Sequence, residues 1–168
     1  MWKIRPVEPQ DVLQLWLALK IAANWNHTDL EHMPEITNLS VIRRYVEDWG
    51  RPNDAGVLAE TDRGDFAGAC WYRLFAPGEV YGAVDAASPA LSIGVLPEHR
   101  GRGLGTRLLN GALQLARQSG FGRVSLSVSL QNAAAISLYE AAGFEAIATE
   151  HGSQDMVLDL DSTWSPND

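Results

Sequence analysis

One cysteine stands in 168 residues, at position 70. A single thiol excludes an intramolecular disulfide. It lies in the apolar run FAGACWYRLF, which predicts a buried small hydrophobe and not a nucleophile. No stretch approaches the ~20 apolar residues of a membrane span. The opening MWKIRPVEPQ has no apolar core of signal-peptide length. A cytoplasmic protein with no membrane partner is expected. Positive charge is also scarce: 13 Lys and Arg face 21 Asp and Glu, for a net charge of -8. Nucleic acids and anionic lipid surfaces need summed positive potential, so neither is an expected partner. Such a chain suits a cationic substrate such as an amine, although the same charge also serves solubility. GxSxG is missing, and with it the nucleophile elbow. GxxxxGK is missing, and with it the P-loop. His27 and His32 lie five apart with no third ligand at metal spacing, so no metal is expected.

What remains is ordinary for one globular domain, with neither internal repeat nor linker. Trp2 to Pro6 reads as a short strand. Pro9 and Asp11 start a helix whose apolar face is Val12, Trp16, Leu19 and Ala23. Thr37 or Asn38 caps a second helix, with Ile42, Val46 and Trp49 on its buried side and Gly50 and Pro52 at its end. Gly56 to Thr61 and Phe66 to Phe75 read as strands joined by a hairpin turn at Asp62 to Asp65. A loop over 76–88 precedes a strand at Leu91 to Val95. From Gly103 a helix runs with Leu104, Leu108, Ala112 and Leu115 on one face. Val124, Leu126, Val128 and Leu130 alternate with Ser125, Ser127 and Ser129, the cleanest strand pattern in the chain. Asn132 caps a short helix, AAAISLYEAA, that Gly143 ends. Phe144 to Glu150 and Met156 to Leu160 complete the strands, and DSTWSPND reads as a frayed tail. The class is α+β with a mixed sheet.

The segment RGRGLG, residues 100–105, concentrates glycine and arginine within this acidic chain. It follows a strand and opens a helix. Backbone N–H groups at a helix N-terminus, with the positive end of the helix dipole, form an anion site. Glycines admit close approach of a ligand, and Arg100 and Arg102 add charge-assisted donors. A dinucleotide fingerprint is ruled out, because position 106 is threonine and the next strand lacks the ribose-binding acid.

VLPEHRGRGLGTRLL resembles the acetyl-CoA signature of the GNAT superfamily of N-acetyltransferases, Gln/Arg-x-x-Gly-x-Gly/Ala, with Arg100, Gly103 and Gly105 in the pattern. LSVSLQNAAAISLYEAAGF resembles the second block of that family through Asn132, Tyr139, Gly143 and Phe144. The resemblance covers residues 88–146; the first half fits only in element order. It implies an α/β three-layer sandwich with a mixed, mostly antiparallel sheet of about seven strands. That sheet splays between Leu91–Val95 and Val124–Leu130, and about four helices flank it. It also implies one domain: an acceptor-side half over 1–87, an acetyl-CoA core over 88–146, C-terminal strands over 147–160 and a tail over 161–168. Pairing into a homodimer through the C-terminal strands is common among such folds.

By the same resemblance acetyl-CoA is the cosubstrate, and the acetyl group passes directly to a primary amine of a small molecule in a ternary complex. Main-chain groups of Ile93 and Val95 bond the pantetheine amides. Arg100, Gly101, Arg102, Gly103, Leu104 and Gly105 hold the pyrophosphate. Asn132 touches the cofactor arm, and Tyr139 donates a proton to the leaving thiolate. The link Asn24 to Thr37 borders the acceptor, where Trp25 and its acids suit a cation. A general base is harder to find. Relatives that acetylate protein N-termini carry a glutamate where this chain has Ser127, and Ala90 to Val95 holds no acid. Glu60, Glu79 and Asp85 remain, or a water chain, or an amine arriving neutral. A catalytically silent CoA-binding module and a protein acetyltransferase acting on lysine or N-termini are the rival readings.

Overall fold

A computed structural model describes residues 1–166. Among them the strands are β1 (Trp2–Pro6), β2 (Ala55–Thr61), β3 (Phe66–Arg73), β4 (Ala90–Val95), β5 (Arg123–Ser129), β6 (Glu145–Glu150) and β7 (Ser153–Asp159). The helices are α1 (Val12–Ala23), α2 (Ser40–Arg43), α3 (Leu104–Gln118) and α4 (Ala133–Ala142). The sheet order is β1-β2-β3-β4-β5-β7-β6. Every neighbouring pair is antiparallel except β4 and β5, which run parallel and meet at a single register pair, Ala90 with Ser125. The sheet therefore opens into a V beyond Ala90, the splay that the family resemblance implies.

Alternation along β3 sends side chains to both layers. Cys70 and Tyr72 join the core under α3, with Leu104, Leu108, Leu109, Ala112 and Leu113. Ala69 and Trp71 face the other way and pack with Leu15, Ala18 and Leu19 of α1 and with Val46. Helices on both faces of one mixed sheet give the three layers. The β5 alternation holds as read, with Val124, Leu126 and Val128 in the α3 core; Leu130 falls past the strand end and is exposed.

Three expectations are corrected. The buried side of α1 is Leu15, Ala18, Leu19 and Ile21, while Val12 and Trp16 are only half-buried. The helix is apolar nearly all round, so no single stripe dominates its sequence. Its rotation is set by β4: Gly94 lets the Ala18 carbonyl approach so closely that a β-carbon there would lie 2.2 Å from it. The second helix is four residues long and begins after Leu39, without a side-chain cap from Thr37 or Asn38. Ile42 within it and Val46 in the turns that follow still reach the core. Those turns are tied down by Arg73, which is fully buried and pairs with Asp54 at 2.6 Å. Arg73 also donates to the carbonyls of Arg44 at 2.8 Å and Glu47 at 2.6 Å. Finally, the tail is not simply frayed. Trp164 packs on the α3 core with the Arg117 guanidinium 5.9 Å from its ring centre. Residues 167 and 168 of that tail lie outside the described residues.

Candidate active site

The V between β4 and β5 is a cleft of about 720 Å³. Its walls include Ile93 and Val95 from β4, Ser127 and Ser129 from β5, and Asn132 and Tyr139 from α4. Arg100, Gly101 and Gly105 close one end; Trp25, Tyr45 and Tyr81 line it from the α1 side. Residues far apart in sequence are thus brought to one place by the missing β4–β5 ladder. Beyond Ala90, the edge of β4 that faces β5 carries no strand pairing, so its backbone groups are open to a ligand.

At the closed end the chain turns left-handed twice, at Gly101 (φ 72°) and Gly103 (φ 87°), before α3 begins. Only glycine adopts this region without strain. No other atom lies within 4 Å of where a β-carbon of either would sit, so the turn is an uncovered cradle. The first N–H groups of the 15-residue helix α3 point out of it. Gly105 lies in the first turn, with Leu138 of α4 3.5 Å from its would-be β-carbon. Leu104 is buried in the core, so its side chain anchors the helix start and only its backbone faces the turn.

The two arginines of the turn behave differently from each other. Arg100 Nε donates to the Val95 carbonyl at 3.0 Å, and Nη1 lies 3.4 Å from the carbonyls of Trp25 and His27. Its guanidinium ties the end of β4 to the chain leaving α1, and burial lowers its pKa. Arg102 turns away from the cleft. It lies over the Trp2 ring at 5.2 Å and bonds His99 Nδ1 at 3.1 Å. Its backbone, not its side chain, belongs to the cradle.

On α4, Asn132 Oδ1 accepts from the Ala135 N–H at 3.2 Å, so its helix-capping role is real while the residue also lines the cleft. Gly143 ends the helix at φ 103°. Tyr139 is 5% exposed, packs edge-on to Phe144 and reaches the cleft wall. Burial, with the neighbouring Cys70, pushes its phenol well above the ordinary tyrosine range. It keeps its proton at neutral pH. Cys70 is wholly buried and its thiol is pushed up by burial alone, which removes thiolate chemistry there.

None of the three acids named as candidate bases lines the cleft. Glu60 is bound to Arg5 at 2.9 Å on β2. Glu79 accepts from the Ala76 N–H at 2.8 Å. Asp85 accepts from Ser88 Oγ at 3.0 Å and from the Ala87 N–H at 2.9 Å; these bonds hold its carboxyl below the usual range despite some burial. Tyr45, Tyr81 and Ser153 line the cleft but escape the sequence reading. The Tyr45 hydroxyl donates to the Tyr81 carbonyl at 2.5 Å, joining the turn after α2 to the loop before β4. No periodicity signals a contact between two irregular segments. Among the described residues no three His, Cys, Asp or Glu side chains gather as a metal set, and no helix is long and apolar enough to cross a membrane.

Residues 17–144 match the family model described as the Acetyltransferase (GNAT) family. Mycothiol acetyltransferase from Nocardiopsis dassonvillei is 32% identical over 142 residues, 84% of this chain and 42% of that protein. Its counterpart from Thermobispora bispora is 34% identical over 142 residues, 84% of this chain and 46% of that protein. The chain thus spans less than half the length of these relatives. Among solved structures, the PaiA N-acetyltransferase of Thermoplasma acidophilum in complex with coenzyme A has a TM-score of 0.68 at 19% identity, covering 95% of this chain and 99% of that one. At that identity the likeness concerns the fold.

Proposed function

Because the chain belongs to the GNAT family of acetyltransferases, we propose that it moves an acetyl group from acetyl-CoA to the primary amine of a small molecule, directly, within a ternary complex. The observation that carries this reading is the cleft itself. One parallel pair of strands joined at a single position leaves an open edge, a glycine cradle sits at one end, and a buried protonated tyrosine lies on the wall.

The residues fit the cosubstrate. Backbone donors at Gly101, Arg102, Gly103, Leu104 and Gly105 would hold the pyrophosphate, and Gly101 and Gly103 leave space for it. Arg100 shapes the cradle through its carbonyl bonds and adds positive charge beside it. Main-chain groups of Ile93 and Val95 would bond the pantetheine arm, with the Val95 carbonyl already sharing one lone pair with Arg100. Asn132 would touch the same arm while capping α4. Acetyl-CoA supplies the activated acyl group. The chain supplies position, dryness and a proton: Tyr139 protonates the sulfur as it departs. The buried Cys70 thiol and the lack of a serine elbow support direct transfer over an acyl-enzyme. The name of the curated relatives, mycothiol acetyltransferase, favours a small-molecule acceptor over a protein. Residues 1–87 then form the acceptor side, and 88–146 the cofactor side. A second copy, if the protein pairs, would join at β6, whose six residues are all exposed at the sheet edge.

Calorimetric titration of acetyl-CoA tests the cradle. The wild type is expected to bind, and Gly103→Asp, which places a carboxylate where phosphate should lie, is expected to abolish binding. Tyr139→Phe tests the chemistry. It should keep acetyl-CoA affinity within about twofold and lower thiol release on a panel of primary amines by about 100-fold. Equal turnover in Tyr139→Phe, or no acetyl-CoA binding by the wild type, would refute the assignment.

A further inference from the structure

Asp155 of β7 stands directly across from Ser127 of β5 in the antiparallel ladder. Opposed residues in such a pair share one face of the sheet. On that face Ser127 lines the cleft, and so does Ser153, two residues before Asp155 on the same strand. Asp155 is therefore bracketed by two cleft-wall serines, at the position in space where the sequence places no acid on β5. It is half-buried. Gly82 closes this region from above: its would-be β-carbon lies 2.6 Å from the Ser127 nitrogen, and its own N–H donates to Asp155. Tyr45, also on the cleft wall, feels the Asp155 charge.

Asp155 stands behind those serines and not on the cleft wall itself, so, resting on the acetyltransferase reading above, we propose that it takes the proton of the acceptor ammonium through one bridging water, making it the general base that Ser127 cannot be. The acceptor this end of the cleft fits is then a protonated primary amine with an apolar body. The carboxylate attracts the cation across the bridging water, and Tyr45, Tyr81 and Ile42 on the cleft wall meet the body.

The proton count closes. One ammonium proton passes to the Asp155 carboxylate. The freed nitrogen forms the C–N bond while the C–S bond breaks. The sulfur takes the Tyr139 proton, the acylated nitrogen gives up its surplus proton through solvent to the phenolate, and Asp155 later releases its proton to bulk water. The groups facing Asp155 are Glu150 from β6, Ser127 from β5, Tyr45 from the turn after α2, and the Gly82 N–H with Tyr81 beside it. Arg123, farther along the same face of β5, is held by Asp159 at 3.1 Å. Burial first, then repulsion from Glu150, raises the Asp155 carboxyl above its usual range, against the Gly82 bond, which moves it toward the pH at which a base is useful.

The test is the pH profile of thiol release with 2-phenylethylamine and n-hexylamine, for wild type, Asp155→Asn and Asp155→Glu, beside acetyl-CoA titrations and melting curves. Asp155→Asn should bind acetyl-CoA within about twofold, yet lose about 100-fold in kcat at pH 7.5. The deficit should shrink to under about tenfold near pH 10.5, where these amines, like lysine at ~10.4, are about half neutral on arrival, against about a thousandth at pH 7.5. Asp155→Glu should restore part of the neutral-pH rate. A deficit that is constant across pH, or none at all, overturns the role of Asp155 alone. A wild type that binds acetyl-CoA but releases no thiol with any primary amine overturns the acetyl-transfer reading and Asp155 with it.

Discussion

Replacing Gly94 by alanine tests how the cleft is held in shape. The methyl group would sit 2.2 Å from the Ala18 carbonyl oxygen and 2.9 Å from its carbon. Ordinary contact begins at 3.4 Å, so α1 must retreat from β4 by about 1.2 Å. The obstacle is helix backbone and cannot rotate aside. Overpacking of this kind costs roughly 1–3 kcal/mol and at times more. In a domain of this size each kcal/mol lowers Tm by about 2–4 °C, which gives a drop of about 2–12 °C. The effect also reaches the site. The last turn of α1 brings Ala22 and Ala23 to the cleft wall, the chain leaving it brings Trp25, and the Trp25 carbonyl is a partner of Arg100. Acetyl-CoA affinity should fall along with Tm. The control is Gly101→Ala, whose methyl meets no atom within 4 Å but must adopt φ 72°. That strain, roughly 1–2 kcal/mol, is confined to the cradle. It should weaken acetyl-CoA binding with a smaller change in Tm. Scanning calorimetry and titration of both variants decide the matter. A Gly94→Ala protein that melts within 1 °C of wild type, at unchanged affinity, refutes the claim that α1 is seated on that glycine.

Two stability predictions follow from buried charge. Arg73→Met leaves Asp54, itself only 3% exposed at the side chain, without its cation and frees the carbonyls of Arg44 and Glu47; a loss of about 3–5 kcal/mol by urea unfolding is expected, and under 1 kcal/mol would show the pair to be dispensable. The double variant with Asp54→Leu should recover only part, because those carbonyls stay unpaired. Asp11 accepts from Arg5 at 2.7 and 2.9 Å, and these bonds hold its carboxyl below the usual range. A lowered folded-state value stabilises the protein above the unfolded carboxylate pKa of ~3.9 and is lost as pH falls through the folded value. Asp11→Asn should therefore be less stable at pH 7 and show a flatter decline below about pH 4; parallel urea-midpoint curves for the two proteins would contradict the linkage.

Much of the fold was legible because it is written in local terms. The strand that became β5 alternates, α3 keeps one apolar face, and Asn132 and Gly143 bound α4 as read. The glycine turn was legible too, since positive φ at Gly101 and Gly103 is a constraint on residue type. The α1 face was misread because an all-apolar helix carries no directional signal, and α2 was read too long because Arg73, thirty residues on in the chain, holds the following turns in place of helix bonds. Candidate bases failed for a related reason. Glu79 and Asp85, in the loop before β4, accept from neighbours in that loop, and Glu60, on the earlier strand β2, is held by Arg5 of β1.

By itself the sequence determined most of the elements, the glycine turn before α3 and the tyrosine of α4, because caps, periodicity and left-handed glycines act over a few residues. Tertiary structure decided which strands part company, and so where a cleft exists at all. It sent Arg102 to Trp2 and Arg100 to the carbonyls of Val95 and Trp25. It also set Asp155 opposite Ser127, a juxtaposition fixed by ladder register between strands 24 residues apart at their closest, from Ser129 to Ser153. Register is a property of the assembled sheet, where one slip would turn every side chain to the other face.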